Sequence, residues 1–244
     1  MTRTTTGTAP VRASRRGPAT WIEWDNGERN LLDLEVTRAL VEELHRADQD
    51  PETAVIVLAG SDRAFCGGAD LPKLRATGTV EEFAAEVVEL LKLLPLLRKP
   101  VVAAVRGDAL ASGFSIALLA DVAVAADHAA LGTVEAALGT WPMIAQVSVR
   151  YLLPSRLATR TLVTGHTFTA ERLEALGVLT AAVPSTEVDR RAQELAEAAA
   201  RPGVLAATGR RALADLSINA GYAADHDAAL AHFIAMLNPK ESDA

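Results

Sequence analysis

The sequence predicts a parallel α/β core followed by a helical C-terminal region, and three observations carry that expectation. Short β-branched runs, TAVIVLAG (53–60), KPVVAAVRG (99–107) and DVAVAA (121–126), read as strands buried on both faces. Helical stretches alternate with them through short connections, the pattern of parallel strands joined by crossovers. After residue 140 the periodicity turns mostly helical, over 142–164, 169–176 ending at Gly177, 185–200, 203–216 and 222–237.

Taken in order, ATWIEW (19–24) alternates like a strand, and Asp33 caps a helical stretch, DLEVTRALVEELHRA, with apolar positions three and four apart. The loop SDRAFCGGADL follows the second strand, and Thr79 with Glu82 forms a capping box at the head of a long helix. The expected organisation is a flexible N-terminal arm over 1–18, a core domain over 19–184 and a helical region over 185–244 that packs on the core or on a neighbouring subunit. The arm lacks the apolar centre of a secretory signal; its Thr- and Arg-rich, acid-free composition leaves a transit peptide as the minor alternative.

Composition removes several classes. The 244 residues, half of them hydrophobic, suffice for one large core. The net charge of -7 is spread over many segments with no basic stripe, which argues against nucleic acid. Cys66 stands alone, so no disulfide and no thiolate cluster is expected, and a cytoplasmic setting fits. No run approaches a membrane span of roughly 20 apolar residues. No G-x-G-x-x-G follows a strand, which discards a dinucleotide-binding domain. DHD (225–227) with His232 lacks a second ligand pair, so no metal is expected, and His45 and His166 read as surface residues.

Three segments remain that chemistry can use. AFCGGADL (64–71) places two glycines between a strand and a helix-capping Asp70. That is either an ordinary turn or a bend that frees the Ala69 N–H for an anionic oxygen. GDALASGFSIALLAD (107–121) enters a helix through Ala111, Ser112 and Gly113. That is either close helix packing or access for a ligand carbonyl to helix N-terminal donors. In LGTVEAALGTWP (131–142), Thr133 can cap a short helix with Glu135 in its first turn. Glu135 then either complements the helix dipole or, desolvated among Leu, Val, Ala and Trp141, becomes a base.

Together these segments resemble the signatures of the crotonase, or enoyl-CoA hydratase/isomerase, superfamily, with RNLLDLEVTRALVEEL and LVTGHTFTAERLEALGVLTAAVP also similar, over roughly residues 20–185. The resemblance implies a crotonase-like (ClpP/crotonase) α/β fold of stacked ββα units, an acyl-CoA thioester substrate, no cofactor beyond that coenzyme A, and a homotrimer or homohexamer. It places the two oxyanion donors on the backbone N–H groups of Ala69 and Ser112, a serine where glycine is usual. Cys66, Gly68, Asp70, Leu71 and Pro72 then line the adenine and pantetheine site, and Arg29, Lys73, Arg75 and Arg98 are the candidates for its phosphates. Of the two hydratase glutamates, the first position falls on Ser115 and the second on Glu135. One retained acid implies double-bond isomerisation of an enoyl-CoA rather than efficient hydration. Trp141, Phe83 and Leu93 are candidates for the acyl wall.

Three alternatives accompany this reading. Ser115 and Glu135 still hold a water in a weak hydratase or dehydratase, or the site decarboxylates or hydrolyses a specialised CoA ester. GFSIA (113–117) is a degenerate nucleophile elbow with His128 as base, although ADHAA reads as a polar turn. Or the chain keeps the fold as a non-catalytic binding protein.

Overall fold

The computed structural model describes residues 10–203, 205–217 and 220–238. The chain enters through an antiparallel hairpin, β1 (Val11–Arg16) and β2 (Ala19–Trp24), turned at Gly17. Residues 11–16, expected as flexible arm, are therefore a sheet edge, paired from Val11 with Trp24 to Arg16 with Ala19; residues 1–9 of the arm lie outside the described residues. β2 is a strand as expected, but nearly all of it is buried rather than every second residue, because later helices cover both of its faces. The first of them, α1 (Leu34–Gln49), starts where Asp33 Oδ1 accepts the Val36 N–H at 2.9 Å, and buries Val36, Leu40, Leu44 and Ala47.

From here the chain repeats one unit. β3 (Val55–Ala59), β4 (Ala64–Cys66), α2 (Leu71–Thr77) and α3 (Val80–Leu93) make the first turn. β5 (Val101–Val105), β6 (Asp108–Leu110) and α4 (Ser112–Leu119) make the second. β7 (Val122–Ala126) and β8 (Ala130–Gly132) open the third, closed by α5 (Ala145–Leu152). Each unit gives its first strand to one sheet and its second to another, so β3, β5 and β7 lie side by side and parallel, as do β4, β6 and β8.

The remaining elements are α6 (Ser155–Thr164), β9 (Phe168–Thr169), α7 (Ala170–Ala175), β10 (Ala181–Val183), α8 (Val188–Ala200), α9 (Leu205–Ser217) and α10 (Ala220–Leu237). They complete a six-stranded sheet ordered β1-β2-β3-β5-β7-β10 and a four-stranded one ordered β4-β6-β8-β9. β3 and β5 are buried at every position, as their β-branched runs predict, with α8 laid across β2, β3, β5 and β7. This is an α/β fold of stacked ββα units. No helix among the described residues is long and apolar enough to cross a membrane.

Two expected elements differ. The capping box does not form: Thr79 Oγ1 bonds Thr77 Oγ1 at 2.7 Å and Glu82 pairs with Arg38. The helix expected over 142–164 is divided between α5 and α6, because Pro154 offers no N–H and holds Leu153 extended at φ -103, ψ 150.

The helical tail is tied to the core by a side chain that periodicity does not reveal. Arg210 of α9 is buried, donating to Asp121 Oδ2 at 2.7 Å and to the carbonyls of Leu94, Pro95 and Leu97, which end α3 and its 3-10 extension. Arg106, just beyond β5, likewise joins Glu23 of β2 at 2.8 Å to Asp189 of α8 at 2.6 Å. Replacing Arg210 with Met should destabilise the fold by about 2–4 kcal/mol, since it leaves Asp121 and three carbonyls short of donors. Urea denaturation measures the loss, and hydrogen exchange should show α9 opening first.

Candidate active site

The first segment is shaped by one asparagine. Asn30, buried and at φ 47, a conformation Asn tolerates, brings Nδ2 within 3.2 Å of the Trp24 carbonyl, 3.1 Å of Ala64 and 2.8 Å of Phe65. It therefore fixes β4 against the end of β2. Leu32 next forms an isolated parallel bridge around Ala69, donating to the Gly68 carbonyl at 2.8 Å and accepting from the Asp70 N–H at 2.8 Å. Because those bonds use residues 68 and 70, the Ala69 N–H faces away from Leu32, and it has no partner among the described residues. Asp70 Oδ1 then caps α2 through the Lys73 N–H at 3.1 Å, as the sequence predicts, and Leu71 and Pro72 form its first turn.

The second segment meets the first at closest approach. Ala111, between β6 and α4, takes φ 53, ψ -121, a region that favours glycine. Its N–H donates to the Gly132 carbonyl at 3.0 Å, and its carbonyl accepts from Phe114 and Ser115. The Ser112 N–H, at the first helical position, has no partner among the described residues. A side chain on Gly113 would place Cβ 2.3 Å from the Cys66 carbonyl, and one on Gly68, at φ 94, would place it 2.8 Å from the Ala111 Cβ. The small residues of both segments thus let the two loops pack directly on each other. Cys66 is buried, and burial pushes its thiol up to about 12, which makes it packing rather than nucleophile.

The third segment corrects one expectation. Thr133 caps nothing: its N–H and hydroxyl both engage Thr161 Oγ1 at 2.9 Å. Glu135 itself occupies the N-cap of a 3-10 turn at Ala136–Leu138, ended by Gly139 at φ 78. Burial pushes its carboxyl above the ordinary value, against the opposing pull of the Glu135 and Val134 N–H groups, and Oε2 is buried with no partner among the described residues. Trp141, expected beside it, is 39% exposed with its indole N–H committed to Gln146 at 2.8 Å, so it stands toward solvent. Ser115, at the place of the missing acid, is buried, with Oγ 3.5 Å from the Ala145 carbonyl.

Ala69, Ser112 and Glu135 follow the C-terminal ends of β4, β6 and β8, three adjacent parallel strands. The sheet therefore delivers two free N–H donors and one desolvated carboxylate to one edge, the position where α/β sheets bind ligands.

The basic candidates separate. Arg98 is held by Asp48 at the N-terminal end of β5, away from this edge. Lys73 is bound to Asp33 at 2.6 Å. With Arg38, itself paired with Glu82 and Glu86, it lines a groove of about 490 Å3 between α1 and α2 in which the acids Asp33, Glu35 and Glu42 outnumber the two committed cations, a poor fit for a phosphate. Arg29 and Arg75 are exposed and form no ion pair among the described residues. His128 is also exposed, 3.5 Å from Asp127, and makes no contact with Ser115, which removes the base from the serine-hydrolase alternative. Among the described residues no group of three or more metal-ligating side chains occurs; Asp225 bonds Tyr151 and Asp227 bonds Lys92.

The stacked ββα units carry two unpartnered backbone N–H groups and one buried carboxyl oxygen at one sheet edge, and comparison with known proteins supplies the family. The enoyl-CoA hydratase/isomerase family model matches residues 20–229. Carnitinyl-CoA dehydratases of Salmonella arizonae and Proteus mirabilis are each 31% identical over 240 residues, covering 95% of this chain and 92% of theirs. Among solved structures, an enoyl-CoA hydratase from Polaromonas superposes with TM-score 0.79 at 26% identity, covering 94% of this chain and 92% of that one. The apo enoyl-CoA isomerase of Mycobacterium tuberculosis superposes with TM-score 0.82 at 26% identity, covering 93% and 98%.

The chain belongs to the enoyl-CoA hydratase/isomerase family, within the crotonase superfamily. It is accordingly an acyl-CoA-processing enzyme.

Two variants test the loop packing. Asn30→Ala should cost about 2–4 kcal/mol in stability, through unsatisfied carbonyls and a methyl-bearing residue at positive φ, measured by chemical denaturation. Gly68→Ala should abolish activity by driving its new methyl into Ala111. The double variant with Ala111→Gly should recover part of it, read as a coupling energy in a double-mutant cycle.

Proposed function

We propose that the protein moves the double bond of an enoyl-CoA thioester, with Glu135 as the single acid-base group. The observation that carries this reading is the pairing of a Glu135 carboxyl whose Oε2 is buried without a partner with an uncharged Ser115 at the other acid position. The thioester oxygen accepts from the Ala69 and Ser112 N–H groups, and negative charge growing on it as the α carbon loses a proton is stabilised there. Each such donor is worth roughly 3–4 kcal/mol in a dry site. Glu135 takes the α proton of a 3-enoyl-CoA, giving a dienolate, and returns it to the γ carbon. The double bond shifts to the 2-position with no water consumed. Arg29 and Arg75 are the residues we assign to the CoA phosphates, with Gly68, Asp70, Leu71 and Pro72 along the adenine and pantetheine path.

A second reading is favoured by the similarity to carnitinyl-CoA dehydratases: Glu135 and the Ser115 hydroxyl eliminate water from a 3-hydroxyacyl-CoA. Incubating the protein with 3-enoyl-, 2-enoyl- and 3-hydroxyacyl-CoA esters and following products by NMR separates the two. Migration faster than water loss or addition supports isomerisation, and rapid hydration without migration overturns it. The homotrimer or homohexamer is also proposed, supported by Leu138, Trp141 and Val163, large apolar residues left exposed on adjoining segments.

Glu135→Gln should lower kcat by about 10²–10⁴. It should also raise stability at neutral pH. A carboxyl whose folded pKa lies above its unfolded value binds more protons when folded, so the wild-type fold loses stability as pH rises between the two values, and the amide escapes that loss. For the same reason the acidic limb of the pH–kcat profile should lie above the ordinary Glu value of 4.5, because activity requires the deprotonated base. Thermal denaturation and pH–rate profiles on both proteins check these outcomes.

A further inference from the structure

Ala69 sits between two residues that turn the chain. Gly68 takes φ 94 before it, and Asp70 takes φ -80, ψ 70 after it, a conformation of neither strand nor helix. The strand-like contact at this position is the isolated bridge to Leu32, with no ladder on either side to stiffen it. The direction of the Ala69 N–H is therefore set by whatever fixes segment 67–73 against segment 29–33.

Two contacts bracket that bridge. On its N-terminal side the Gly67 N–H donates to the Arg29 carbonyl at 3.0 Å. On its C-terminal side Lys73, in the first turn of α2, donates from Nζ to Asp33 Oδ2 at 2.6 Å. Asp33 is a fixed post. Its side chain is 4% exposed, Oδ1 accepts the Val36 N–H that starts α1, and Oδ2 also accepts at 3.3 Å from Asn26 Nδ2, which donates to the Leu31 carbonyl at 2.7 Å. An ion pair between two exposed side chains contributes little. Here one partner is buried, so removing the ammonium leaves a carboxylate oxygen inside the protein with only the longer Asn26 contact, a condition relieved by moving the segment toward water. The same surroundings unsuit Lys73 to a phosphate, because Glu35 and Asp70 act on its ammonium along with Asp33.

We infer that Lys73 and Asp33 form a positioning pair for the reaction: their ion pair holds α2 on the start of α1 and so aims the Ala69 N–H at the thioester oxygen, and Lys73 takes no part in binding the CoA phosphates. The inference rests on the assignment of Ala69 and Ser112 to that oxygen. A group misplaced by about 1 Å from the reacting atoms lowers the rate by on the order of 10²-fold. Ground-state affinity is spread over the whole coenzyme and changes far less, so the pair acts on kcat rather than on KM.

Two readouts test this on wild type, Lys73→Met, Lys73→Arg, Asp33→Asn and the double variant Asp33→Asn/Lys73→Met. Asparagine at 33 keeps an oxygen for the Val36 N–H, so α1 retains its cap. The first readout is the infrared carbonyl stretch of bound hexanoyl-CoA, isotope-labelled at the thioester carbon and lacking a double bond to move; hydrogen bonds to the oxygen lower its frequency. Wild type should lower it relative to the free ester, Lys73→Met and Asp33→Asn should each lose most of that lowering, and Lys73→Arg should recover part of it. The second is turnover of 3-hexenoyl-CoA. Each single variant should lower kcat by about 10–100-fold with KM nearly unchanged, and the double variant should be no worse than either, because both substitutions break the same pair. Circular dichroism at the assay temperature checks folding, and if Asp33→Asn does not fold, the two Lys73 variants carry the comparison. A raised KM with unchanged kcat in Lys73→Met, not reproduced by Asp33→Asn, makes Lys73 a phosphate contact and overturns the positioning role, as does an unaltered carbonyl shift in Lys73→Met. If wild type fails to bind hexanoyl-CoA or leaves its carbonyl frequency unshifted, the assignment of Ala69 and Ser112 itself is wrong and the positioning role falls with it.

Discussion

The site depends on three short parallel strands ending side by side. β4, β6 and β8 are adjacent in one sheet, so the segments that follow them start about 4.8 Å apart before any side chain is considered. Three local interactions turn that proximity into a fixed geometry. The Leu32 bridge orients Ala69, the contact of Gly68 with Ala111 seats the first loop on the second, and the Ala111 N–H on the Gly132 carbonyl ties the second to the third. The two donors are thus backbone groups, which hold position more firmly than a long side chain on a surface loop.

The larger sheet plays the complementary part. Its central strands are uniformly apolar and buried, and α8 lies across them, so the strain and desolvation at the site edge are carried by a core that makes neither. Arg106 and Arg210 then fasten the helical tail at two points far apart in sequence. The tail supplies α10, which packs on α3 and α5, so the clamp on α9 helps seat the helices that flank α4.

Features governed by local chemistry were legible in the sequence. The β3, β5 and β7 runs, the Asp33 and Asp70 caps, and the order of Ala69, Ser112 and Glu135 each depend on a few neighbouring residues. What escaped depends on partners distant in sequence. β4, β6, β8 and β9 are two or three residues long and exist only because a neighbouring strand pairs with them, and β1, VRASRR, looks like a charged arm until β2 supplies its ladder. Thr79 and Thr133 have the right types for caps, but nearer hydroxyls, Thr77 and Thr161, engage them first. Asn30 and His226 carry no sequence signal of their roles, since one is defined by three carbonyls from two other segments and the other by the partners it lacks.

Three locally unfavourable features mark this part of the molecule: Ala111 at positive φ, Glu135 buried without a partner for Oε2, and His226 buried without one for either nitrogen. Each costs on the order of 1–3 kcal/mol, a substantial fraction of a typical domain's net stability. Fold requirements alone do not retain such groups, because glycine at 111, glutamine at 135 and an apolar residue at 226 would all relax the structure. Two of them sit at the edge where β6 and β8 end, Ala111 directly before Ser112 and Glu135 after β8, whereas His226 lies apart on α10. A ligand that accepts from the free Ala69 and Ser112 donors and exchanges a proton with the Glu135 carboxyl would offset the cost at that edge.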